Sequence, residues 1–293
     1  MEKHIYIIGS MSMDLVVATD TVPRKGETVL GKSFFTAPGG KGANQAVAAA
    51  RLGEHVHMVG RIGNDDFGED IFQNLKNNGV NTDYVKPTEG KSGTAHITLN
   101  DNDNSIIIVP SANNEVTPDY VQHALESTKA GDIVLLQQEI PAETVEATVK
   151  YCYEHDLISI LNPAPYREIS DEVIEQATYI TPNETESENM FEGDVDQALE
   201  RYPDKLIVTL GELGAVYHDG TQQVEIKGFK REVKDTTGAG DTFNGALAVG
   251  LQRGYELPKA LTFANLAASH SVTGMGAQGG MPTLEDLQGD IEV

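Results

Sequence analysis

The segment Asp235-Thr236-Thr237-Gly238-Ala239-Gly240-Asp241-Thr242-Phe243-Asn244-Gly245-Ala246-Leu247 carries the strongest chemical signal in the chain. A strand-like approach ends in a turn of small residues, and an apolar helix follows. Gly238 and Gly240 let a ligand come close to the backbone. The first-turn amides of the helix lack acceptors within it, and the helix dipole adds to their field, so the turn is suited to an anion. Asp241 falls in that first turn. It either caps the helix, a common use of aspartate, or it faces the bound group. A carboxylate is poorly matched to a phosphate but well matched to the group that attacks one, which would make Asp241 a base.

Gly39-Gly40-Lys41-Gly42-Ala43-Asn44 clears side chains from a second helix start, where Lys41 and Asn44 supply donors for sugar-like hydroxyls or a phosphate. The alternative is a flexible turn. Thr209-Leu210-Gly211-Glu212-Leu213-Gly214 follows an apolar run, as nucleotide-binding loops do at strand ends, although glycine turns follow strands widely. Thr181-Pro182-Asn183-Glu184-Thr185-Glu186 either serves a magnesium-bound phosphate or caps a helix. Gly26–Ser33 matches the pattern G-x-x-x-x-G-K-[ST], but a β-like, proline-ended tail follows it instead of a helix, so a phosphate-binding P-loop is rejected. Asp101–Ser105 lacks the glycine and distant glutamate of a calcium loop and reads as a hairpin tip. His55 and His57 read as sharing one strand face but have no third ligand nearby in sequence, which argues against zinc.

The elements that must hold these residues alternate. Apolar runs at Ile5–Ile8, Val56–Gly60, Asp132–Gln137, Leu157–Leu161 and Lys205–Leu210 read as strands. Helical patterns cover Gln45–Leu52 (with Gly53 as its stop), Phe67–Asn77, Asp119–Ser127, Ala142–His155, Asp171–Gln176, Asp196–Arg201, Ala239–Arg253 and Pro258–Val272. This order predicts an α/β fold with a doubly wound, mostly parallel sheet and helices on both faces. Ala215–His218 with Gln222–Ile226 predicts an antiparallel hairpin near one edge. Leu15–Thr19, Thr28–Phe35 and the pair Thr94–Leu99 and Ser105–Val109 do not fit the parallel rhythm. They read as a small inserted β-sheet lid built from about 14–38 and 91–110, within one domain spanning 1–293.

Composition bounds the function. The 293 residues suffice for a full core. Against 21 Lys and Arg stand 45 Asp and Glu, a net charge of −24, which disfavours nucleic acid and anionic membranes as partners. No apolar run approaches the roughly 18 residues that cross a bilayer. The single Cys152 forms no internal disulfide and reads as a half-buried structural thiol, in keeping with a reducing cytoplasm.

Gly39–Asn44 with Gln45-Ala46, and Asp235–Leu247, resemble the two signature regions of the ribokinase branch of the phosphofructokinase-B-type carbohydrate kinases. Gln137-Gln138-Glu139, Asn162-Pro163-Ala164-Pro165, Thr181–Glu186, Thr209–Gly214 and Gly276-Ala277-Gln278 follow in the same order, and the resemblance runs from about Ile5 to Pro282. It implies transfer of the γ-phosphoryl of ATP to the 5-hydroxyl of D-ribose. Asp241 is then the base, with Gly238, Ala239 and Gly240 as the anion hole. Ser12, Asp14, Gly40, Lys41, Gly42, Asn44, Glu139 and Asp241 fall at sugar positions. Asn183, Thr209, Gly211, Gly214, Gly240 and Asn265 fall at nucleotide positions. A monovalent cation, usually K⁺, would take Asp235, Thr237, Ser271, Gly274, Gly276 and Gly280, and Glu186 would serve Mg²⁺ indirectly. The lid would form a homodimer contact. Ser12 departs from the asparagine usual there, which opens 2-deoxyribose kinase or another sugar kinase of the family as the alternative. A sugar-binding regulator without catalysis is the reading from another class, and the intact Gly238–Asp241 turn argues against it.

Overall fold

The computed structural model describes residues 3–100 and 103–289. In chain order its elements are β1 (Ile5–Ile8), β2 (Ser12–Ala18), β3 (Ser33–Gly39), α1 (Lys41–Arg51), β4 (Val56–Gly63), α2 (Asp66–Asn77), β5 (Asn81–Thr88), β6 (Gly93–Asn100), β7 (Asp103–Val109), α3 (Pro118–Leu125), β8 (Ile133–Leu136), α4 (Ala142–Glu154), β9 (Ile158–Leu161), α5 (Asp171–Gln176), β10 (Tyr179–Ile180), α6 (Glu184–Met190), α7 (Val195–Arg201), β11 (Ile207–Thr209), β12 (Gly214–His218), β13 (Gln223–Lys227), α8 (Ala239–Gln252), α9 (Leu257–Ser271) and α10 (Leu284–Leu287). Short 3₁₀ turns occupy Ser111–Glu115 and Gly211–Leu213.

Six strands form a wholly parallel sheet in the order β10-β9-β8-β1-β4-β5. Side chains alternate across a strand, so the central strands feed two cores. Ile5 and Ile7 of β1, with Ile133 and Leu135 of β8, pack on α1, α2, α8 and α9. Tyr6 and Ile8, with Val134 and Leu136, face α3, α4, α5 and α7. Burial on both faces explains why β1 and β8 read as unbroken apolar runs. Antiparallel β11-β12-β13 continues beyond β10 through parallel bridges at Ile180–Leu206 and Asn183–Thr209.

The doubly wound class is as the sequence predicts. The segments outside the parallel rhythm form a separate four-stranded sheet, β3-β2-β6-β7, in which β2 and β6 run parallel. Its strand β7 and the start of β3 leave Phe34, Phe35, Ile106 and Ile107 exposed. Several details differ from expectation. The third strand runs Ser33–Gly39 instead of Thr28–Phe35, with Pro38 tolerated because β3 is an edge. Helix α1 begins four residues early, at Lys41, because Gly40 adopts φ +89° as its N-cap. Strand β5, carrying Lys86 and Pro87, was masked by its polar edge character. Asp101 and Asn102 of the expected hairpin tip lie outside the described residues, though Asn100 and Asp103 pair beside them. Gly26–Ser33 is an exposed loop entering β3, not a helix-capping phosphate loop. Cys152 is fully buried in α4, not half-buried, and burial pushes its thiol up. His55 precedes β4 instead of sharing its face with His57. His57 Nε2 lies 3.3 Å from His4 Nδ1, yet no metal-holding cluster of three or more His, Cys, Asp or Glu occurs among the described residues. Among them no helix is long and apolar enough to cross a membrane.

Candidate active site

The C-terminal ends of β1 and β8 and the starts of α1 and α8 meet at one edge of the parallel sheet, where ligands bind in open α/β folds. Helix α8 is capped at its N-terminus by Gly238, whose φ of +79° is a left-handed conformation that favours glycine. A Cβ there would run into the carbonyl oxygen of Ala277. The first helical bond is Thr242 N–H to Gly238 O at 2.8 Å, so the amides of Gly240 and Asp241 precede the helical ladder. The space above Gly240 is open. Helix α1 packs against the chain leaving β1, where a Cβ on Gly42 would sit 2.7 Å from Ser10 N.

Asp241 is 7% exposed and bonded to α1 through both oxygens. Asn44 Nδ2 donates to Oδ2 at 2.9 Å, and Gln45 Nε2 donates to Oδ1 at 3.0 Å. Asn44 Oδ1 accepts in turn from Gln278 Nε2 at 2.9 Å. Glu139 Oε2 accepts from the Lys41 amide at 3.1 Å and from Ser10 Oγ. Burial, then repulsion from Glu139 and Asp241, pushes the Asp14 carboxyl up to about 6. Burial of Lys41 pulls its ammonium down, but Asp241, Glu139 and Glu186 outweigh that and hold it above the ordinary lysine range. The structure therefore gathers Asp14, Lys41, Asn44, Glu139 and Asp241 into one acidic cluster around the Lys41 ammonium, while Gly40 abuts Met11 and Ser12 and Gly42 abuts Gly9 and Ser10. Ser12 lies two residues before Asp14 on the same face of β2. Its Oγ lies 3.4 Å from Asn113 Nδ2, and the same carboxamide brackets Met11 N and O at 2.9 and 3.0 Å.

A cavity of about 460 Å³ is lined by Asn183, Thr209, Gly211, Gly214, Gly240 and Asn265, the whole nucleotide set of the sequence reading. Its apolar walls come from Phe229, Val233, Phe243, Ala268 and Val272. Phe229 and Val233 lie in an irregular stretch before α8 and carry no sequence pattern. Asn265 spends its amide on Ile226 O, 2.9 Å away. A second cavity of about 130 Å³ adjoins it, sharing Asn183, Thr209 and Gly240 and adding Lys41, Asn162, Glu186 and Asp241. Asn183 and Glu186 form the reciprocal cap of α6, at 2.8 and 2.9 Å, while still facing this space. Burial pushes the Glu186 carboxyl up.

The oxygen-bearing residues expected to hold a monovalent cation fall in two touching groups. Asp235 accepts from Thr237 N, Thr237 Oγ1 and Gly276 N at 2.9, 2.7 and 2.8 Å. Burial raises this carboxyl, but those bonds prevail and hold it below the ordinary aspartate range. Ser271 O accepts from Gly274 N at 3.3 Å and abuts Gly280. A carboxylate, a hydroxyl and backbone carbonyls form an all-oxygen donor set that fits a hard cation.

A family profile described as pfkB family carbohydrate kinase matches residues 2–284. This chain belongs to the pfkB family of carbohydrate kinases. Ribokinase of Bacillus subtilis (strain 168) is 55% identical over 288 residues, covering 98% of each chain. Deoxyribokinase of Salmonella typhi is 36% identical over 296 residues, covering 97% of each. The structure of Arabidopsis thaliana ribokinase complexed with ribose and ATP matches with a TM-score of 0.87 at 32% identity, over 98% of each chain. A phosphotransferase acting on an alcohol group follows from membership of this carbohydrate kinase family.

Proposed function

We propose that this pfkB-family kinase transfers the γ-phosphoryl group of ATP to the 5-hydroxyl of D-ribose, giving ribose 5-phosphate and ADP. The observation that carries this is the position of Asp241: buried, tied to α1, and lining the small cavity that opens into the larger one through Gly240. ATP lies in the larger cavity with its phosphates toward Gly240, and the sugar lies among Asp14, Lys41, Asn44 and Glu139. Relatives named ribokinase at 55% and 47% identity support ribose as the acceptor.

Phosphoryl transfer needs alignment and charge neutralisation more than a strong base. As O5 bonds to the γ-phosphorus and the bond to the ADP oxygen breaks, the O5 proton passes to Asp241. The carboxylate accepts this proton late, when the alcohol oxygen has become acidic. The amides of Gly240 and Asp241, with Gly238 and Ala239 shaping the turn, face the charge that develops on the phosphoryl oxygens. Lys41 offsets that charge from the sugar side. Two ions would be held here: K⁺ by Asp235, Thr237, Ser271, Gly274, Gly276 and Gly280, and Mg²⁺ with Glu186 serving it indirectly. When bound, these ions supply further charge neutralisation. The four-stranded sheet acts as a lid that excludes water, and its exposed Phe34, Phe35 and Ile107 provide the homodimer contact. A reducing cytoplasm is the setting in keeping with the single buried thiol.

The test is ATP-dependent phosphorylation of ribose beside 2-deoxyribose, with and without K⁺. Faster turnover of ribose, increased by K⁺, is the expected result. Preference for 2-deoxyribose would move the assignment to the activity for which the Salmonella relative is named and put Ser12 at its origin. Sugar binding without turnover of either would point to a regulator.

A further inference from the structure

Gln45 sits inside α1, an alanine-rich helix, with no exposed surface. A buried glutamine costs free energy unless its amide is fully bonded. Here Nε2 donates to Asp241 Oδ1 at 3.0 Å and to Asn162 Oδ1 at 3.2 Å, while Oε1 accepts from Gln137 Nε2 at 2.6 Å. Gln137 is itself completely buried. Gln45 lines neither cavity beside Asp241, so contact with sugar or nucleotide does not explain it.

We infer that Gln45 is the positioning residue of the catalytic base. The inference rests on the sugar-kinase reading above. A carboxylate held by one donor pivots about its terminal torsion, whereas donors on both oxygens fix its plane. Asn44 supplies the donor on Oδ2 at 2.9 Å, but Asn44 is also expected to bind the sugar, so its bond changes through the catalytic cycle. Gln45 is anchored from behind by Gln137, just after β8, and by Asn162, just after β9, and its bond persists. The two donors come from adjacent residues of one rigid helix, so the orientation of the base is built into α1. The charged groups around the same carboxylate are Asp14 on β2, Glu139 after β8 and Lys41 on α1, with Glu186 of α6 acting on Lys41. Repulsion by Asp14 would swing an unpinned Asp241 away from its aligned position. Misalignment of a reacting group by about an ångström costs on the order of 100-fold in rate.

The experiment compares wild type with Gln45→Met and Gln45→Leu, which keep the volume and remove the donor, alone and in the Asp241→Asn background. Circular dichroism and thermal melting establish folding, calorimetry gives the ribose Kd, and steady-state kinetics separate kcat from KM. A positioning role predicts kcat about 10- to 100-fold lower, with ribose Kd and the KM values for ribose and ATP within about two-fold. In the Asp241→Asn background the same substitution should leave the residual rate unchanged, because groups acting as a unit are not additive. The inference is overturned by a folded variant with kcat within three-fold of wild type. It is equally overturned by equal losses in both backgrounds, or by failure of both variants to fold, which would assign the glutamine to the core alone. Wild type that turns over no sugar would instead sink the kinase reading.

Discussion

Asp14 is where binding and stability oppose each other most clearly. Its carboxyl, on β2, is half-buried and stands near Glu139 and Asp241, and partial burial followed by their repulsion pushes it up to about 6 from the ordinary 3.8. That gap corresponds to at most roughly 3 kcal/mol of cost to the native state at pH well above both values. Between the two values the native chain binds the proton that the unfolded chain has lost. Stability from this group therefore rises as pH falls through 6 and levels off below about 4. Asp14→Asn removes the charge at nearly constant volume, so it should stabilise the protein by ~1–3 kcal/mol at pH 7.5. The gain should shrink steadily as the pH is lowered toward 4. The same substitution removes a charged acceptor for a sugar hydroxyl and should weaken ribose binding by roughly 10- to 100-fold. Urea unfolding of both proteins from pH 4 to 8, with ribose calorimetry at pH 7.5, measures the two effects. A variant no more stable than wild type at pH 7.5, or a gain independent of pH, would refute the electrostatic account. Unchanged ribose affinity would remove Asp14 from the sugar pocket.

Three further outcomes follow from other parts of the site. Gly238→Ala meets both a left-handed backbone and the Ala277 carbonyl, so it should lower kcat at least 100-fold by displacing the first-turn amides, while ribose calorimetry remains near wild type. Ser12→Asn restores a second donor at a position where the serine now engages Asn113, and the ribose to 2-deoxyribose ratio of kcat/KM should rise about tenfold or more. Cys152 is buried in α4 and its thiol is pushed up by burial, so a disulfide reagent should leave the native protein untouched and titrate one thiol only after unfolding.

Sequence alone carried the alternation of apolar strands and amphipathic helices, because each element advertises its own periodicity. Helix α5 is found where the sequence places it, Asp171–Gln176, since Ser170 caps it and its apolar spacing is local. Strand β5 was hidden because an edge strand beside β4 tolerates polar residues and a proline. At helix α6 the Asn183 and Glu186 pattern serves a cap and a ligand site equally, and the structure shows the cap within a cavity wall. The turn at Gly238–Asp241 was legible because glycine, helix start and carboxylate are adjacent in sequence. The bonds that hold Asp241 were not. Gln45, Gln137, Asn162 and Gln278 come from four separate elements or loops, and a buried glutamine looks in sequence like any polar residue of a helix or strand end.

If sugar and ATP bind as proposed, the two halves of the site use opposite electrostatic principles, and the division follows from what each would hold. The acceptor side surrounds Lys41 with Asp14, Glu139 and Asp241, a balance that suits a neutral polyol whose hydroxyls donate to carboxylates. The same carboxylates resist a second anion, so a sugar that already carries a phosphate is disfavoured there. The donor side has apolar walls and opens onto amides at the start of α8, which suit a flat base and a chain of phosphates. Gly240 is common to both cavities, and Asp241 is the next residue, so one helical turn carries the anion-facing amide and the base together. On the proposed reading, transfer converts a neutral sugar on the acidic side into an anionic product. The repulsion that was absent during binding then acts on the product, and the arrangement that selects an unphosphorylated acceptor also favours its departure once phosphorylated.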